Sequence, residues 1–478
     1  MRVVFIASEG VPFSKSGGLA DVVGALPKEL KRQGIDISVV LPKHRGMPQD
    51  LEQSLQLRQS FSVHLGWRQQ YCGIETTNYQ GIDFCLIDNE YYFGREGLYG
   101  YDDDAERYAF FSKAVLDALP LIGLQPDIIH LHDWQTGIVS ALLKASHTGN
   151  PFYRNTKTVF TVHNLKYQGI FPKTILTDML NLSWDFFTAD GLEFYDNVNF
   201  MKAGLAYSHK LTTVSPTYAQ EIQYPFFGEG LDGFLRKRKN DLVGIVNGID
   251  YEKYNPRNDP HIFQSFGVDS LQNKVDNKLR LQDELGLPVE GRVPMIGIIS
   301  RLVSQKGLDL VAHILDDILS QDVQMVVLGT GDGYYEDMFR IKASQYPTKL
   351  SANIRFDNTL AHRIYAGADL FLMPSLFEPC GLSQLIAMRY GCLPIVRETG
   401  GLNDTVRSYN SETGEGHGFS FTNYNAHDML YTINRALELF RSDQRIWTGI
   451  CKKAMLMDFS WKNSAQEYIK LYAGLLDA

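Results

Sequence analysis

One stretch near the amino terminus, SKSGGLADVVGALPKEL (residues 14–30), combines a lysine, two adjacent glycines and an aspartate. It lies between a short apolar run and a helical pattern. Because Gly17 and Gly18 lack side chains, the backbone N–H groups at the helix start are open to an anion or a sugar. Lys15 adds a positive charge. A tight turn with Asp21 in the first helical turn also explains these residues, so this stretch alone leaves both readings open.

A second turn, SRLVSQKGLDL (residues 300–310), follows the apolar run PMIGIIS. Arg301 and Lys306 flank the start of the next helical pattern. A planar guanidinium and an ammonium beside helix N–H groups are suited to a diphosphate. An isolated Arg or Lys is usually only a solvated surface charge. Two cations in one turn, with Lys15 at the comparable turn of the other half, favour anion binding.

A third group of residues follows the apolar run LFLMPS. Glu378 lies in a loop rich in Pro and Gly, where a carboxylate can bind sugar hydroxyls or balance positive charge at a reacting carbon. Further on, Thr399, Gly400 and Gly401 precede a helical pattern and repeat the design of the first turn. Each loop alone has a structural explanation. Together with the two cations they indicate a binding site.

Weaker candidates lie at the ends of two other apolar runs. LHDWQTG carries His132, Asp133 and Trp134, and FTVHNLKYQG carries His163 and Asn164. A lone histidine is more often structural, so these residues are candidates because of their position at strand ends.

Two further motifs are assigned no ligand. The acidic run Asp102–Asp104 is better explained as the start of a helix than as a metal site, since no histidine or second acidic cluster accompanies it. The glycine-rich GTGDG at 329–333 lacks the spacing of a dinucleotide fingerprint and predicts a tight turn. We therefore expect no metal and no cofactor.

These residues require a framework of strands and helices. Apolar runs alternate with helical patterns along most of the chain, which predicts α/β architecture with parallel strands covered on both faces. Residues 55–90 predict a local antiparallel insertion. The Asn-Gly, Asn-Pro and Asp-Pro pairs that begin near Asn247 predict a domain boundary. The predicted fold class is α/β, with two Rossmann-like doubly wound sheets that face a deep cleft lined by strand ends.

Composition excludes several classes of protein. The chain has 478 residues, 44% of them hydrophobic and 21% charged, which predicts at least two globular domains. A formal charge of −9 argues against a nucleic-acid partner. Five cysteines without metal-ligand spacing fit reduced thiols in a cytoplasmic protein. No apolar run predicts a signal peptide or a membrane span, so we expect no membrane partner.

Taken in order, seven motifs resemble those of the bacterial glycogen synthase and plant starch synthase family of retaining glucosyltransferases. They extend from the first predicted strand to about 75 residues before the end of the chain, and their order and spacing match: KSGGLADV (15–22), HDWQTG (132–137), TVHNLKYQG (161–169), VNGID (246–250), SRLVSQKG (300–307), FEPCGLSQL (377–385) and TGGLNDTV (399–406).

The resemblance implies a glycosyltransferase-B fold and transfer of glucose from ADP-glucose to the non-reducing 4-OH end of an α-1,4-glucan, with retention and without a metal. It implies an N-terminal acceptor domain over residues 1–246, a C-terminal donor domain over 247–458, and a helix over 459–478 that crosses back to the first domain. Glycogen or a maltooligosaccharide would be the glucan partner.

The resemblance also assigns roles to individual positions. The catalytic residues would be Lys15, His163, Arg301, Lys306 and Glu378. The substrate-binding residues would be Lys15, Gly17, Gly18, Asp21, Asp133, Trp134, Asn247, Phe356, Cys380, Gly381, Thr399, Gly400 and Gly401. Within these, Arg301 and Lys306 would hold the diphosphate, Asp133 and Trp134 would line the acceptor side, and Phe356 would lie against adenine.

The sequence departs from the wider clan at one position. Many relatives carry a second glutamate eight residues after the first, but here that position is Ile386, as in bacterial glycogen synthases. Two rival readings stay open from the residues alone: a nucleotide-sugar epimerase on the same double fold, and a catalytically inactive glucan- or nucleotide-binding protein. A phosphorylase is disfavoured, because no residue marks a pyridoxal lysine.

Overall fold

The computed structural model describes residues 1–146 and 149–477. Contacts between Cα atoms divide the chain into two compact units. Unit 1 comprises residues 1–248 together with the residues from Trp461 onward, and unit 2 comprises residues 249–460. These divisions lie within two residues of the positions expected from the sequence.

Unit 1 contains a mostly parallel sheet with the strand order β12-β11-β7-β6-β1-β2-β5-β4-β3 and a small antiparallel sheet with the order β8-β10-β9. The strands are β1 (Arg2–Ile6), β2 (Asp36–Pro42), β3 (Gln56–Leu65), β4 (Arg68–Tyr79), β5 (Ile82–Asp88), β6 (Ile128–His132), β7 (Lys157–Val162), β8 (Ile170–Pro172), β9 (Glu193–Phe194), β10 (Asn197–Asn199), β11 (Lys210–Thr213) and β12 (Leu242–Gly244).

The helices of unit 1 cover both faces of the larger sheet, which is why its central strands are apolar throughout. They are α1 (Gly18–Arg32), α2 (Gln49–Ser54), α3 (Glu90–Phe93), α4 (Asp104–Leu121), α5 (Trp134–Ser146), α6 (Ile175–Asp178), α7 (Phe200–Tyr207), α8 (Pro216–Glu221) and α9 (Asp232–Lys237). The antiparallel insertion predicted over residues 55–90 is confirmed, since β3 pairs with β4, and β4 with β5, in antiparallel register.

Unit 2 contains a parallel sheet with the order β15-β14-β13-β16-β17-β18. Counted along the chain this is the order 3-2-1-4-5-6 of a doubly wound nucleotide-binding fold. The strands are β13 (Met295–Ile299), β14 (Gln324–Leu328), β15 (Leu350–Asn353), β16 (Leu370–Met373), β17 (Leu393–Arg397) and β18 (Phe419–Phe421). The helices are α10 (Lys274–Glu284), α11 (Leu308–Leu319), α12 (Gly333–Gln345), α13 (Asn358–Gly367), α14 (Ser383–Arg389), α15 (Gly400–Thr405), α16 (Ala426–Ser442) and α17 (Gln444–Leu456).

The last helix, α18 (Trp461–Leu476), returns to unit 1. It buries Trp461, Ala465, Tyr468 and Tyr472 in the same apolar cluster as the buried face of α1. Together these residues cover one face of the unit 1 sheet, and Tyr472 reaches a strand more than three hundred residues earlier in the chain. Within residues 1–146 and 149–477, no helix is long and apolar enough to cross a membrane.

Candidate active site

In each unit most of the predicted site residues follow three neighbouring parallel strands, two of which are the strands at which the winding of the sheet reverses. The reversal lies between β1 and β6 in unit 1, where β7 is next to β6, and between β13 and β16 in unit 2, where β17 is next to β16. At such a reversal the loops diverge to opposite faces and leave a crevice at the carboxyl ends of the strands. We call the residues at these ends the unit 1 site (Lys15, Gly17, Gly18, Asp21, Asp133, Trp134 and His163) and the unit 2 site (Arg301, Lys306, Glu378, Cys380, Gly381, Thr399, Gly400 and Gly401).

The turn after β1 carries an exposed cation beside an open backbone. Lys15 Nζ lies 2.8 and 2.7 Å from the two carboxylate oxygens of Asp21, in the first turn of α1. Gly17 is the N-cap of that helix, and no side chain caps it. A Cβ added at Gly17 would come no closer than 3.8 Å to another residue, Oε1 of Glu9. The glycine is therefore not required by packing, and the space beside it is open.

Glu9 organises this turn, and sequence reasoning missed it. Its carboxylate is buried and accepts hydrogen bonds from the backbone N–H and the hydroxyl of Ser16. Burial raises the pKa of Glu9, and hydrogen bonds from Ser16 and from the backbone of Gly17 oppose that rise. Glu9 thereby fixes the turn that carries Lys15. A carboxylate three residues after a buried strand was the signal available in the sequence.

Asp133 and His163 meet between the ends of β6 and β7. Asp133 has a left-handed backbone, with φ of 58°, and its Oδ1 accepts the backbone N–H of His163 at 2.7 Å. Burial raises the pKa of Asp133 to about 7, against hydrogen bonds from the backbone of His163 and Asn164, and the charge of Glu9 contributes to the rise. Burial lowers the pKa of His163 to about 3. The pair therefore presents a neutral imidazole beside a carboxyl group of unusually high proton affinity.

Two other predicted residues of unit 1, Trp134 and Asn247, are buried. Trp134 starts α5 and is buried, with its ring against Tyr108 at 5.1 Å and Phe171 at 5.7 Å between centroids. The ring of Trp134 is therefore part of the apolar core that supports the loop of Asp133. Asn247 is buried, and its Oδ1 has no hydrogen-bond partner among the described residues. A buried acceptor without a partner is uncommon and suits a group that binds a ligand.

The unit 2 site is built around an ion pair. Lys306 Nζ lies 2.7 Å from Oε2 of Glu378, and the hydroxyl of Ser375 donates to the same oxygen at 2.9 Å. Glu378 is 7% exposed. The cation comes from the turn after β13 and the carboxylate from the turn after β16, so the fold joins residues 72 positions apart. Ser375 was not among the predicted site residues.

The loop of Glu378 is packed against the start of α15. The backbone N–H of Gly401 donates to the carbonyl oxygen of Glu378 at 3.1 Å. A Cβ at Gly400 would overlap that carbonyl, and one at Gly401 would overlap the carbonyl of Cys380. Thr399 is the N-cap of α15. These two glycines therefore allow close packing of backbone on backbone, unlike Gly17.

Cys380 and Gly381 continue the same loop. Gln384 holds it by donating to the carbonyl oxygens of Cys380 at 3.0 Å and Gly381 at 2.9 Å. Gly381 has φ of 73°, a conformation that favours glycine. The loop is thus fixed by α14 on one side and by α15 on the other, which makes the position of Glu378 rigid.

Arg301 and Phe356 lie at the surface of unit 2. The guanidinium of Arg301 is exposed, and none of the described residues forms an ion pair with it. Phe356 is 88% exposed in the loop between β15 and α13, and no contact joins it to the ion pair of Lys306 and Glu378. A bare cation and a bare aromatic ring at strand ends are both available to a ligand.

The acidic run at the start of α4 has structural partners. Arg95 binds both carboxylate oxygens of Asp103 at 2.7 Å, and the buried Arg107 pairs with Asp104. These pairs support the interpretation of the run as a helix start. Across the described part of the chain, no group of three or more His, Cys, Asp or Glu side chains is arranged to hold a metal ion.

The two doubly wound units, with cations, a fixed carboxylate and neutral histidines at their strand ends, belong to a glycosyltransferase, as the comparisons with known families show. Two family models agree: the starch synthase catalytic domain matches residues 2–237, and glycosyl transferases group 1 matches residues 286–447.

Comparisons with single relatives over the whole chain identify the family within the glycosyltransferases. The chain is 58% identical to a glycogen synthase of Desulforamulus reducens over 100% of this chain and 99% of that protein. It is 55% identical to a glycogen synthase of Alkaliphilus metalliredigens, over 99% and 100%. The catalytic domain of starch synthase IV from Arabidopsis thaliana, bound to ADP and acarbose, is 35% identical and superimposes with a TM-score of 0.93, covering 100% of this chain and 99% of that one. The chain belongs to the glycogen synthase family of glucosyltransferases.

Proposed function

We propose that this enzyme transfers glucose from ADP-glucose to the non-reducing 4-OH end of an α-1,4-glucan, with retention of the α configuration. The ADP and acarbose bound by the Arabidopsis starch synthase IV domain support a nucleotide donor and a glucan acceptor. The identity of more than half to bacterial glycogen synthases supports glycogen or a maltooligosaccharide as that acceptor.

The observation that carries the proposal is the arrangement of charge in the unit 2 site. When the bond between glucose and phosphate breaks, negative charge develops on the departing ADP. Arg301 is an exposed cation that pairs with no carboxylate among the described residues, and Lys306 lies in the turn just before α11. Fixed cations near the developing charge lower the barrier, most strongly where water is excluded. We assign both residues to the diphosphate, with the N–H groups that follow Thr399 at its distal end.

The unit 1 site is suited to hydroxyl groups. His163 and Asp133 present a neutral ring and a carboxyl group of raised pKa, which bind sugar hydroxyls without requiring a counter-ion. We assign His163 and Asn247 to the glucose and Asp133 to the acceptor side. Lys15 and the open backbone at Gly17 are assigned to the donor phosphates and glucose.

We assign Glu378 an electrostatic role in place of a nucleophilic one. Its Oε2 already accepts from Lys306 and Ser375, and these donors reduce the charge density of the carboxylate. Glu378 would orient glucose and stabilise the cationic anomeric carbon, while the departing phosphate oxygen takes the proton of the acceptor hydroxyl in a displacement on one face. Mass spectrometry of the enzyme quenched during turnover should show no glucosyl adduct on Glu378, and an adduct there would overturn this assignment.

We further propose that the reaction needs no divalent cation, because Arg301 and Lys306 supply the positive charge that such an ion supplies elsewhere. Activity should therefore persist after dialysis against EDTA, and restoration by Mg²⁺ of an activity lost on dialysis would contradict the proposal. We place the reaction in the cytoplasm, in line with five buried cysteines that are all free thiols.

A direct assay decides the proposed function. The enzyme is incubated with glycogen and either ADP-glucose or UDP-glucose, and nucleotide release and chain length are measured together. We expect ADP release matched by elongation, and α linkages in the product by NMR. Nucleotide release without elongation would indicate hydrolysis, and conversion of the sugar without nucleotide release would indicate an epimerase. Glu378→Ala is the control for background hydrolysis.

A further inference from the structure

Two histidine rings contact each other where β6 and β7 end in unit 1. Nδ1 of His132 lies 3.0 Å from Nε2 of His163, within hydrogen-bond distance. His163 is the partly exposed residue of the pair, and His132 is fully buried behind it. The state of the buried ring therefore determines what the exposed ring offers to a substrate.

Both rings are neutral near pH 7. Burial lowers the pKa of His132 well below its usual value and that of His163 to about 3. A neutral imidazole carries one N–H, so one of the two facing nitrogens must be protonated and the other must not. Either His132 donates from Nδ1 to Nε2 of His163, or His163 donates from Nε2 to Nδ1 of His132.

The other nitrogen of His132 distinguishes these arrangements. Its Nε2 is buried and has no hydrogen-bond partner among the described residues. If His163 were the donor, the proton of His132 would lie on this nitrogen and a buried N–H would have no acceptor. If His132 is the donor, the same nitrogen is an unprotonated acceptor. Buried donors without partners are rarer than buried acceptors without partners, so the second state is favoured.

We propose that His132 is a positioning residue that holds His163 as the tautomer protonated on Nδ1. His163 then offers an N–H donor from Nδ1, and not a lone pair, to an oxygen of the substrate. The tautomer follows from contacts within unit 1. Only the identification of that oxygen as part of a sugar rests on the proposed function.

The ring of His132 is held in place by its neighbours. His130 stacks on it with centroids 4.3 Å apart and an angle of 27° between the planes, and Phe5 packs against it at 4.8 Å. His130 is in turn fixed at both nitrogens, by the hydroxyl of Tyr472 at 2.7 Å and that of Thr161 at 2.6 Å. Tyr472 belongs to α18, so the last helix of the chain completes the support behind His163.

The tautomer is measured directly on the full-length protein labelled with ¹⁵N-histidine. Two-bond ¹H–¹⁵N spectra at pH 7 distinguish protonated from unprotonated ring nitrogens, and His163→Asn and His132→Asn variants assign the signals. We expect Nδ1 protonated and Nε2 unprotonated in both residues. A wild-type spectrum with His163 protonated on Nε2 would overturn the proposal, whatever the activity of the enzyme.

A variant tests whether the tautomer matters for the substrate. His132→Phe keeps an aromatic ring in the stack and removes the donor, and His132→Asn restores an N–H near Nδ1. We expect His132→Phe to populate the other tautomer of His163 and to lower kcat/KM about tenfold, the size of one neutral hydrogen bond. His132→Asn should recover most of that loss.

The control is His209→Phe. His209 lies beside Thr158 near the start of β7, at the amino ends of the strands, whereas His163 follows the carboxyl end of β7. It should change neither the His163 signals nor the kinetics. If His132→Phe shifts the tautomer and leaves kcat/KM unchanged, the positioning role is wrong. If the wild type transfers no glucose, the proposed function fails while the spectrum still decides the tautomer.

Discussion

The two sites occupy equivalent places in two sheets of the same type, but they handle charge differently. The unit 2 site keeps its charges: Lys306 pairs with Glu378, and Arg301 is exposed and forms no ion pair with any described residue. The unit 1 site keeps one ion pair, Lys15 with Asp21, but suppresses charge at the ends of β6 and β7, where burial keeps His132 and His163 neutral and raises the pKa of Asp133.

This difference shows what the fold decides and what it leaves open. The reversal of strand order creates a crevice in each unit, which is the place where open α/β sheets generally bind ligands. The side chains that follow the strands then determine which ligand it is. Cations beside helix starts suit a diphosphate, whereas neutral rings and high-pKa carboxyl groups suit hydroxyls. The same architecture thus provides two chemically distinct sites.

The largest expected effect is on stability in acid. Unit 1 buries His44, His130 and His132, and burial lowers the pKa of His44 to about 4 and those of the other two well below their usual value. An unfolded histidine binds a proton below pH 6.5 or so, while these folded ones do not until much lower pH, so acid favours unfolding. Between pH 7 and pH 5, each of these three histidines should lower the free energy of unfolding by about 2 kcal/mol.

Unit 2 should lose stability only at a lower pH than unit 1. Its buried His362 has a carboxylate partner, since Nδ1 lies 2.6 Å from Oδ2 of Asp259, and the pKa of Asp259 is lowered. The stability from that carboxylate is lost only as pH falls through a pKa below its ordinary value near 3.8. Hydrogen exchange by mass spectrometry, corrected for intrinsic rates, should show unit 1 peptides losing protection first between pH 7 and pH 5. Equal or earlier loss in unit 2 would contradict the comparison.

The second prediction concerns the cation without a partner. Arg301→Ala should lower kcat/KM for ADP-glucose by about 10²–10³, as expected for removal of one fixed charge that stabilises the leaving group. Because Arg301 is exposed and forms no ion pair with the described residues, the thermal midpoint should change little. Activity is measured as ADP release at saturating glucan.

Lys342→Ala is the matched control for this variant. Lys342 is another cation of unit 2, in α12, and its Nζ lies 2.6 Å from the exposed carboxylate of Asp316. A surface pair of this kind contributes about 0–1 kcal/mol, so both stability and kinetics should stay near wild type. If Arg301→Ala and Lys342→Ala behaved alike, the assignment of Arg301 to the diphosphate would be wrong.

Much of the framework was predictable from the sequence, because a buried parallel strand needs a continuous apolar run. The runs at β1, β6, β13 and β16 were readable for this reason, and so was the position of the turns that follow them. The helix that the family resemblance implied over residues 459–478 corresponds to α18. The position of a residue relative to a strand end can be inferred from its neighbours in the sequence, so it was predictable from one sequence.

The contacts that complete the sites are not local. Lys306 and Glu378 were predicted separately, and only the fold shows that they form a pair. Tyr472 was not a candidate, because its role depends on His130, 342 positions earlier. Glu9 was not a candidate either, because its burial depends on the turn of Ser16, whose backbone N–H it accepts.

The third prediction is that substitution of a glycine lowers stability in the unit 2 site more than in the unit 1 site. In unit 2, a Cβ at Gly401 would overlap the carbonyl oxygen of Cys380. Gly401→Ala should therefore displace the loop of Glu378 and lower the unfolding free energy by about 1–3 kcal/mol. Thermal unfolding and ADP release are measured together, and both should fall. An unchanged melting midpoint would show that this packing is more compliant than the contacts indicate.

A smaller change in stability than at Gly401 is expected at Gly17, where the main effect should be on catalysis. An added Cβ has room there, with Glu9 Oε1 as its nearest neighbour at 3.8 Å. Replacing a glycine N-cap by alanine weakens the helix start slightly and restricts the unfolded chain slightly, so stability should stay within about 1 kcal/mol of wild type. If the substrate approaches this backbone, Gly17→Ala should nevertheless lower kcat/KM about tenfold or more. A loss of activity without a loss of stability is a result that Gly401→Ala cannot give. If Gly17→Ala had wild-type kinetics, the backbone at Gly17 would not contact the donor. Of the residues in the turn after β1, Lys15 would then still be assigned to the donor.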